Sequence, residues 1–284
     1  MRVSEALHEG TRLLKQTGSE EARLEAEILL MHALKTDRVH LYQQLSEALT
    51  ARTEATYRRV LARRLEHEPT PYITGRKEFF GLEFEVTRAA LIPRPETETL
   101  VELAIGFARE HYGAQRITIA DVGAGSGIIA VSLAVHLPNA RVIASDVSKR
   151  ALGLARRNAE RHSVAGRIEL VHGDLLAPLD RRVEVIAANL PYVTTAEWER
   201  EVPPEIREWE PRQALDGGAD GLRLIRRLLR QAPGKLMRGG ALFAEIGWSQ
   251  GERARVLGAG AFPRGRVEVR QDLAGTDRVL CVYA

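Results

Sequence analysis

The chain is almost without cysteine: Cys281 is the only one among 284 residues. No disulfide can form within one chain, which agrees with a reducing compartment. The eight histidines show no metal-ligand spacing, so no zinc site is expected. Cys281 lies in the apolar run Val279-Leu280-Cys281-Val282-Tyr283 and reads as a small buried strand residue rather than a nucleophile. Aromatic residues make up only 5%, so the core has to be built from aliphatic side chains and alanine. Net charge is low as well, at +3. So mild a balance does not call for nucleic acid as a partner, and pairs such as Arg63-Arg64 and Arg156-Arg157 read as solvated helix faces. No window approaches the roughly 18 apolar residues of a membrane span. Met1 to Gly10 carries two Glu and no long apolar stretch, which does not read as a signal peptide. A cytoplasmic protein without a membrane partner is expected.

What is present is an ordinary globular composition, 44% hydrophobic and 28% charged, long enough for one large domain and a small one. Residues 1–70 read as helical. Ala22, Ala26, Leu29, Leu30 and Ala33 recur at three- and four-residue spacing. Asp37 and Thr50 are expected N-caps of two further helices, the second running through Tyr57, Val60, Leu61 and Leu65 until Pro69 and Pro71 stop it. Phe80 to Val86 alternates apolar and acidic residues, as a half-exposed strand does, and Ala89 to Ile92 is expected to return as its hairpin partner. Residues 71–95 therefore read as a hairpin linker.

Residues 96–284 alternate strand and helix. Short aliphatic strands are expected at Ile117–Asp121, Arg141–Asp146, Ile168–Val171, Val183–Ala188 and Ala241–Ile246, with helical stretches between most of them. That pattern indicates a parallel sheet covered on both faces. Arg266–Val269 and Arg278–Tyr283 follow each other without room for a helix, so an antiparallel pair closes the sheet. The strand ending in Asp121 runs into Val122-Gly123-Ala124-Gly125-Ser126-Gly127 before a helix. Glycines there allow a tight turn and close approach of a ligand to a helix N-terminus. The third glycine falls one residue too early for the dinucleotide fingerprint, and an acid beside the turn would repel pyrophosphate. Asp121 suits a ligand with an ammonium group instead, such as the methionine end of S-adenosylmethionine. Asp146, ending the second strand, is placed to accept bonds from both ribose hydroxyls of an adenosine. Asp174, after the third, is placed to accept from the adenine amino group, with Leu175 packing on the ring. A single strand-end aspartate is more often a helix N-cap; three at consecutive strand ends around a glycine turn favour a nucleoside.

The fourth strand ends in Asn189-Leu190-Pro191-Tyr192, which resembles the Asn-Pro-Pro-Tyr signature of methyltransferases acting on planar nitrogens. An amide nitrogen is a poor nucleophile because its lone pair is delocalised. The Asn189 side-chain oxygen and the Leu190 carbonyl are expected to accept its N–H groups and aim it, and Tyr192 to stack on the planar group. Leu190 stands where the signature has proline. Pro191 still holds Leu190 extended, while the matching restraint on Asn189 is lost. Further segments carry a closer resemblance. Leu91-Ile92-Pro93-Arg94-Pro95-Glu96-Thr97-Glu98, Pro71-Tyr72-Ile73-Thr74-Gly75, Glu78-Phe79-Phe80-Gly81-Leu82, Glu210-Pro211-Arg212 with Leu215-Asp216-Gly217-Gly218, and Glu245-Ile246-Gly247 resemble release-factor glutamine methyltransferases, the PrmC or HemK family. The resemblance implies a small helical-bundle domain, a β-hairpin linker and a Rossmann-like α/β methyltransferase domain with seven strands. It also implies S-adenosylmethionine as cofactor and N5-methylation of the glutamine in the Gly-Gly-Gln motif of class-one peptide chain release factors. The same Asn189-to-Tyr192 chemistry would serve an N6-adenine methyltransferase of DNA or RNA, or a glutamine methyltransferase of a ribosomal protein. The mixed charge of residues 1–68 weighs against the first, and the wording of Pro93 to Glu98 against the second.

Overall fold

The computed structural model describes residues 1–284. They divide into two compact units, one made of residues 1–76 with 203–209, the other of residues 77–202 with 210–284. The first unit is helical: α1 (Val3–Gln16), α2 (Ala22–Leu34), α3 (Arg38–Gln43), α4 (Ala51–Leu65) and α5 (Thr70–Thr74). Asp37 caps α3 by accepting from the His40 amide, and Thr50 caps α4 by accepting from that of Thr53. Leu7, Leu14, Leu29, Leu30, Leu41 and Tyr57 form its core. α4 ends four residues short of Pro69, where His67 turns left-handed at φ 62°. Pro71 sits in the first turn of α5, a position that needs no amide hydrogen. Arg64, buried, pairs with Glu25 at 2.8 Å and with Glu205 of the returning segment at 3.0 Å.

The second unit opens with a hairpin of β1 (Arg76–Phe79) and β2 (Leu82–Glu85), whose first residue, Arg76, is the last of the helical unit. The expected pairing of Phe80–Val86 with Ala89–Ile92 is not the one formed. Phe80 and Gly81 take φ 53° and 71°, the positive pair a two-residue type I′ turn demands, so the chain turns at residues 80–81 and not at 87–88. Glu98 accepts the Phe80 amide at 2.8 Å. Ile92 cannot join a ladder because its amide is spent on the buried Glu210 carboxylate at 3.0 Å. Phe79 and Phe84 are buried in the same core cluster as Leu100, Ile119 and Leu133.

After the hairpin come α6 (Thr97–Tyr112), β3 (Ile117–Val122), α7 (Ile128–His136), β4 (Ala140–Asp146), α8 (Lys149–Arg161), β5 (Ile168–His172) and β6 (Val183–Ala188). Then follow β7 (Val193–Thr194), α9 (Thr195–Arg200), α10 (Pro204–Trp209, of the first unit), β8 (Asp216–Gly218), α11 (Arg223–Lys235), β9 (Leu236–Glu245), α12 (Gly251–Ala261), β10 (Arg266–Gln271) and β11 (Asp277–Tyr283). Seven strands form one mixed sheet in the order β10-β11-β9-β6-β3-β4-β5. β11 runs antiparallel to both neighbours and the other pairings are parallel. This is the expected α/β architecture. Alternate residues feed the two faces: Ile119, Val142, Val185 and Ala187 enter one cluster, Ala120, Ile143, Ile186 and Ala188 the other. The chain steps from β3 outward to β5 and returns to β6 on the opposite side of β3. The carboxyl ends of β3, β4 and β6 therefore border a topological switch point, where open α/β sheets hold ligands. No helix is long and apolar enough to cross a membrane.

Candidate active site

A cavity of about 280 Å³ opens at that switch point. Its wall brings together eight of the residues singled out from the sequence: Gly123 and Gly125 after β3, Asp146 ending β4, Asp174 and Leu175 after β5, and Asn189, Leu190 and Pro191 after β6; Ser145 of β4 and Gly173 after β5 line it beside them. Asp121, Ala124, Ser126, Gly127 and Tyr192 are not on the wall.

The turn after β3 is held by its own amides. Gly123 and Ala124 both donate to the Ser145 carbonyl, at 2.8 and 3.0 Å, and Gly125 donates to Asp146 Oδ2 at 2.8 Å. These are the donors a pyrophosphate would need, and all three are spent inside the fold. Asp146 Oδ1 accepts the Ser148 amide at 2.7 Å. An ionised carboxylate has about four lone-pair sites, so two backbone bonds fix its plane and leave acceptors for a ligand. Asp174 is tied through Oδ2 to Arg227 of α11, whose side chain also reaches the wall. Asp121 is fully buried. Its Oδ2 accepts the Ala130 amide in the first turn of α7 at 3.0 Å, and its Oδ1 has no partner. Burial raises its pKa to about 7, against the pull of the Ala130 bond and helped by the charge of Asp146.

Asn189 is anchored by the nitrogen end of its side-chain amide. Its Nδ2 donates to Thr97 Oγ1 at 2.9 Å, and Thr97 Oγ1 lies 2.6 Å from Oε2 of Glu245, the last residue of β9. The other oxygen of Glu245 accepts the Tyr192 hydroxyl at 3.1 Å. Glu245 is buried, which raises its pKa to about 6; the Thr97 and Tyr192 bonds and the charge of Arg278 oppose the rise, and Glu96 adds to it. Leu190, in place of the usual proline, packs its side chain onto the glycine turn: a Cβ on Gly123 would lie 2.9 Å from Leu190 Cδ2. Packing and the Thr97 bond thus restrain Asn189 where a proline ring does not. Tyr192 is held by its carbonyl as well, through Gln250 Nε2 at 2.8 Å. The chain passes close enough for this only because Gly221 carries no side chain; a Cβ there would lie 2.2 Å from the Tyr192 oxygen.

Thr97, Glu245, Glu210 and Gln250 received no role from the sequence. The first three lie within segments that carried the resemblance, which was the one available signal. Gln250 lay outside them.

Residues 5–75 match the family model of the PrmC N-terminal domain, and residues 107–218 that of the methyltransferase small domain. A release factor glutamine methyltransferase of Geobacter sulfurreducens is 45% identical over 271 residues, covering 94% of this chain and 91% of its own. That of Moorella thermoacetica is 42% identical over 284 residues, covering 100% and 99%. The solved N-terminal domain of human METTL16 in complex with SAH is 15% identical with a TM-score of 0.51, covering 72% of this chain and 76% of its own, a likeness of fold alone. With identity at this level running through both units, the chain belongs to the release factor glutamine methyltransferase family.

Proposed function

We propose that the protein transfers a methyl group from S-adenosylmethionine to the side-chain amide nitrogen, N5, of the glutamine in the Gly-Gly-Gln motif of class-one peptide chain release factors. The observation that carries this reading is the orientation of Asn189, whose Nδ2 is bound inward to Thr97 while its residue borders the cavity. That leaves Oδ1 as the end that can accept an N–H of a substrate amide.

The cavity fits the cofactor on its own chemistry. Gly123 and Gly125 line it without side chains, Asp146 keeps acceptors for vicinal hydroxyls, and the buried Leu175 offers an apolar face. S-adenosylmethionine, when bound, supplies an electrophilic methyl group on a sulfonium. Asn189 Oδ1 and the Leu190 carbonyl accept the two N–H groups of the glutamine amide, which turns the nitrogen lone pair toward the methyl and stabilises the positive charge that grows on nitrogen. The N-methylated, protonated amide is strongly acidic and releases its proton to water, so no general base is required. Tyr192 presents its ring to the planar amide. Residues 1–70 serve in recognition of the release factor, a role supported by the match of residues 5–75 to the PrmC N-terminal domain.

The test is methyl transfer from labelled S-adenosylmethionine to a purified class-one release factor, with double-stranded DNA offered in parallel. Fragment masses are expected to place the label on the Gly-Gly-Gln glutamine. Label on DNA, or on another residue of the factor, refutes the assignment.

A further inference from the structure

We propose that Glu245, acting through Thr97, is the positioning residue that sets which end of the Asn189 amide faces the substrate. The inference rests on the role given to Asn189 above. An ionised carboxylate only accepts hydrogen bonds, so both hydroxyls that reach Glu245 must donate: Thr97 Oγ1 at 2.6 Å and Tyr192 Oη at 3.1 Å. A threonine hydroxyl has one hydrogen. With that hydrogen given to Glu245, Thr97 can only accept from Asn189, and the group 2.9 Å away is its NH₂. A flipped Asn189 would set its carbonyl oxygen against the lone pairs of Thr97. The direction of three hydrogen bonds therefore follows from one buried charge, and it delivers Asn189 with Oδ1 outward. One carboxylate at the end of β9 thereby orients Asn189 and anchors the hydroxyl of Tyr192.

The orientation depends on the charge state of Glu245. Protonated, its O–H could donate to Thr97, whose own hydrogen would then turn toward Asn189 and favour the flipped amide. That flip would present an NH₂ to a substrate NH₂. The groups facing Glu245 are Arg278 of β11, which favours the carboxylate and is itself paired with Asp272 at 3.2 Å, Glu96 at the head of α6, which opposes it, and the Tyr192 hydroxyl. With a pKa pushed up to about 6 by burial, the carboxylate is formed at neutral pH and lost on mild acidification.

Single-turnover methyl transfer to a purified release factor at saturating cofactor decides the matter. Thr97→Val keeps the shape and removes the hydroxyl, and is expected to slow transfer about 10–100-fold while the dissociation constant for S-adenosylhomocysteine stays within about twofold. Thr97→Ser restores the hydroxyl and is expected to recover most of the rate. The wild-type rate is expected to fall as pH drops through about 6. A wild-type rate in Thr97→Val, equal slowing in the serine variant, or a wild-type rate that is flat across that pH range overturns the proposal. The wild-type profile decides alone should Thr97→Val not fold. Asn189→Ala run alongside separates the two readings. If it is slow while Thr97→Val is normal, only the positioning role falls. If Asn189→Ala keeps the wild-type rate, the proposed function falls and this role with it.

Discussion

Asp146 is the residue on which cofactor recognition and the shape of the cavity are both expected to depend, and Asp146→Asn separates the two. In the fold its oxygens accept the Gly125 and Ser148 amides at 2.8 and 2.7 Å. An asparagine keeps one of those bonds and sets an NH₂ against the other amide. Losing one charge-assisted bond costs about 1.5–3 kcal/mol. In a chain of this size that lowers the melting temperature by roughly 3–12 °C. The lost oxygen also removes an acceptor for a ribose hydroxyl, worth a similar amount, so the dissociation constant for S-adenosylhomocysteine is expected to rise about 10–150-fold. Titration calorimetry measures this, with the 2′-deoxy analogue as the control. Wild type should lose affinity for the analogue and the variant should lose little more, since the bond is already gone. If the variant melts lower but binds within twofold of wild type, Asp146 shapes the turn and does not hold the ribose.

Gly221→Ala should cost more than about 2 kcal/mol in urea unfolding, since its φ is +72° and a Cβ would meet the Tyr192 oxygen at 2.2 Å; turnover should fall with it, and wild-type values for both would contradict the close approach. Asp121 carries a pKa raised to about 7, so the fold holds its proton more tightly than the unfolded chain does. Stability from this group is present in acid and lost as pH rises from about 4 to 7. Relative to Asp121→Asn, wild type should weaken over that interval, and parallel pH curves for the two would refute the burial argument. Tyr192→Phe removes a donor that lowers the pKa of Glu245. It should move the acidic limb of single-turnover transfer upward, whereas an unmoved limb would show that the hydroxyl does not act on that carboxylate.

Sequence reading reached what is local and failed where the fold joins distant residues. The strands were legible because aliphatic runs are flanked by glycine and aspartate, and the caps at Asp37 and Thr50 because each cap lies within four consecutive residues. The hairpin was misread because nothing in the run Phe79-Phe80-Gly81 announces a bulky residue at positive φ. That conformation is fixed from outside, by Glu98 on the amide and by His136 against the ring, with centroids 5.0 Å apart. The link from Asn189 through Thr97 to Glu245 was invisible for the same reason: Thr97 and Glu245 are 148 positions apart. Each residue type is commonplace, and only the meeting of α6 with the ends of β6 and β9 gives them a joint role.

The return of residues 203–209 to the helical unit bears on how the family can exchange its parts. The boundary between the units is crossed by the chain three times rather than once, first near residue 76 and then on either side of α10. A graft of residues 1–76 from one relative onto the second unit of another would leave α10 behind, and Arg64 would meet a foreign residue where Glu205 now sits. The two stretches must therefore be inherited, or transplanted, as a pair.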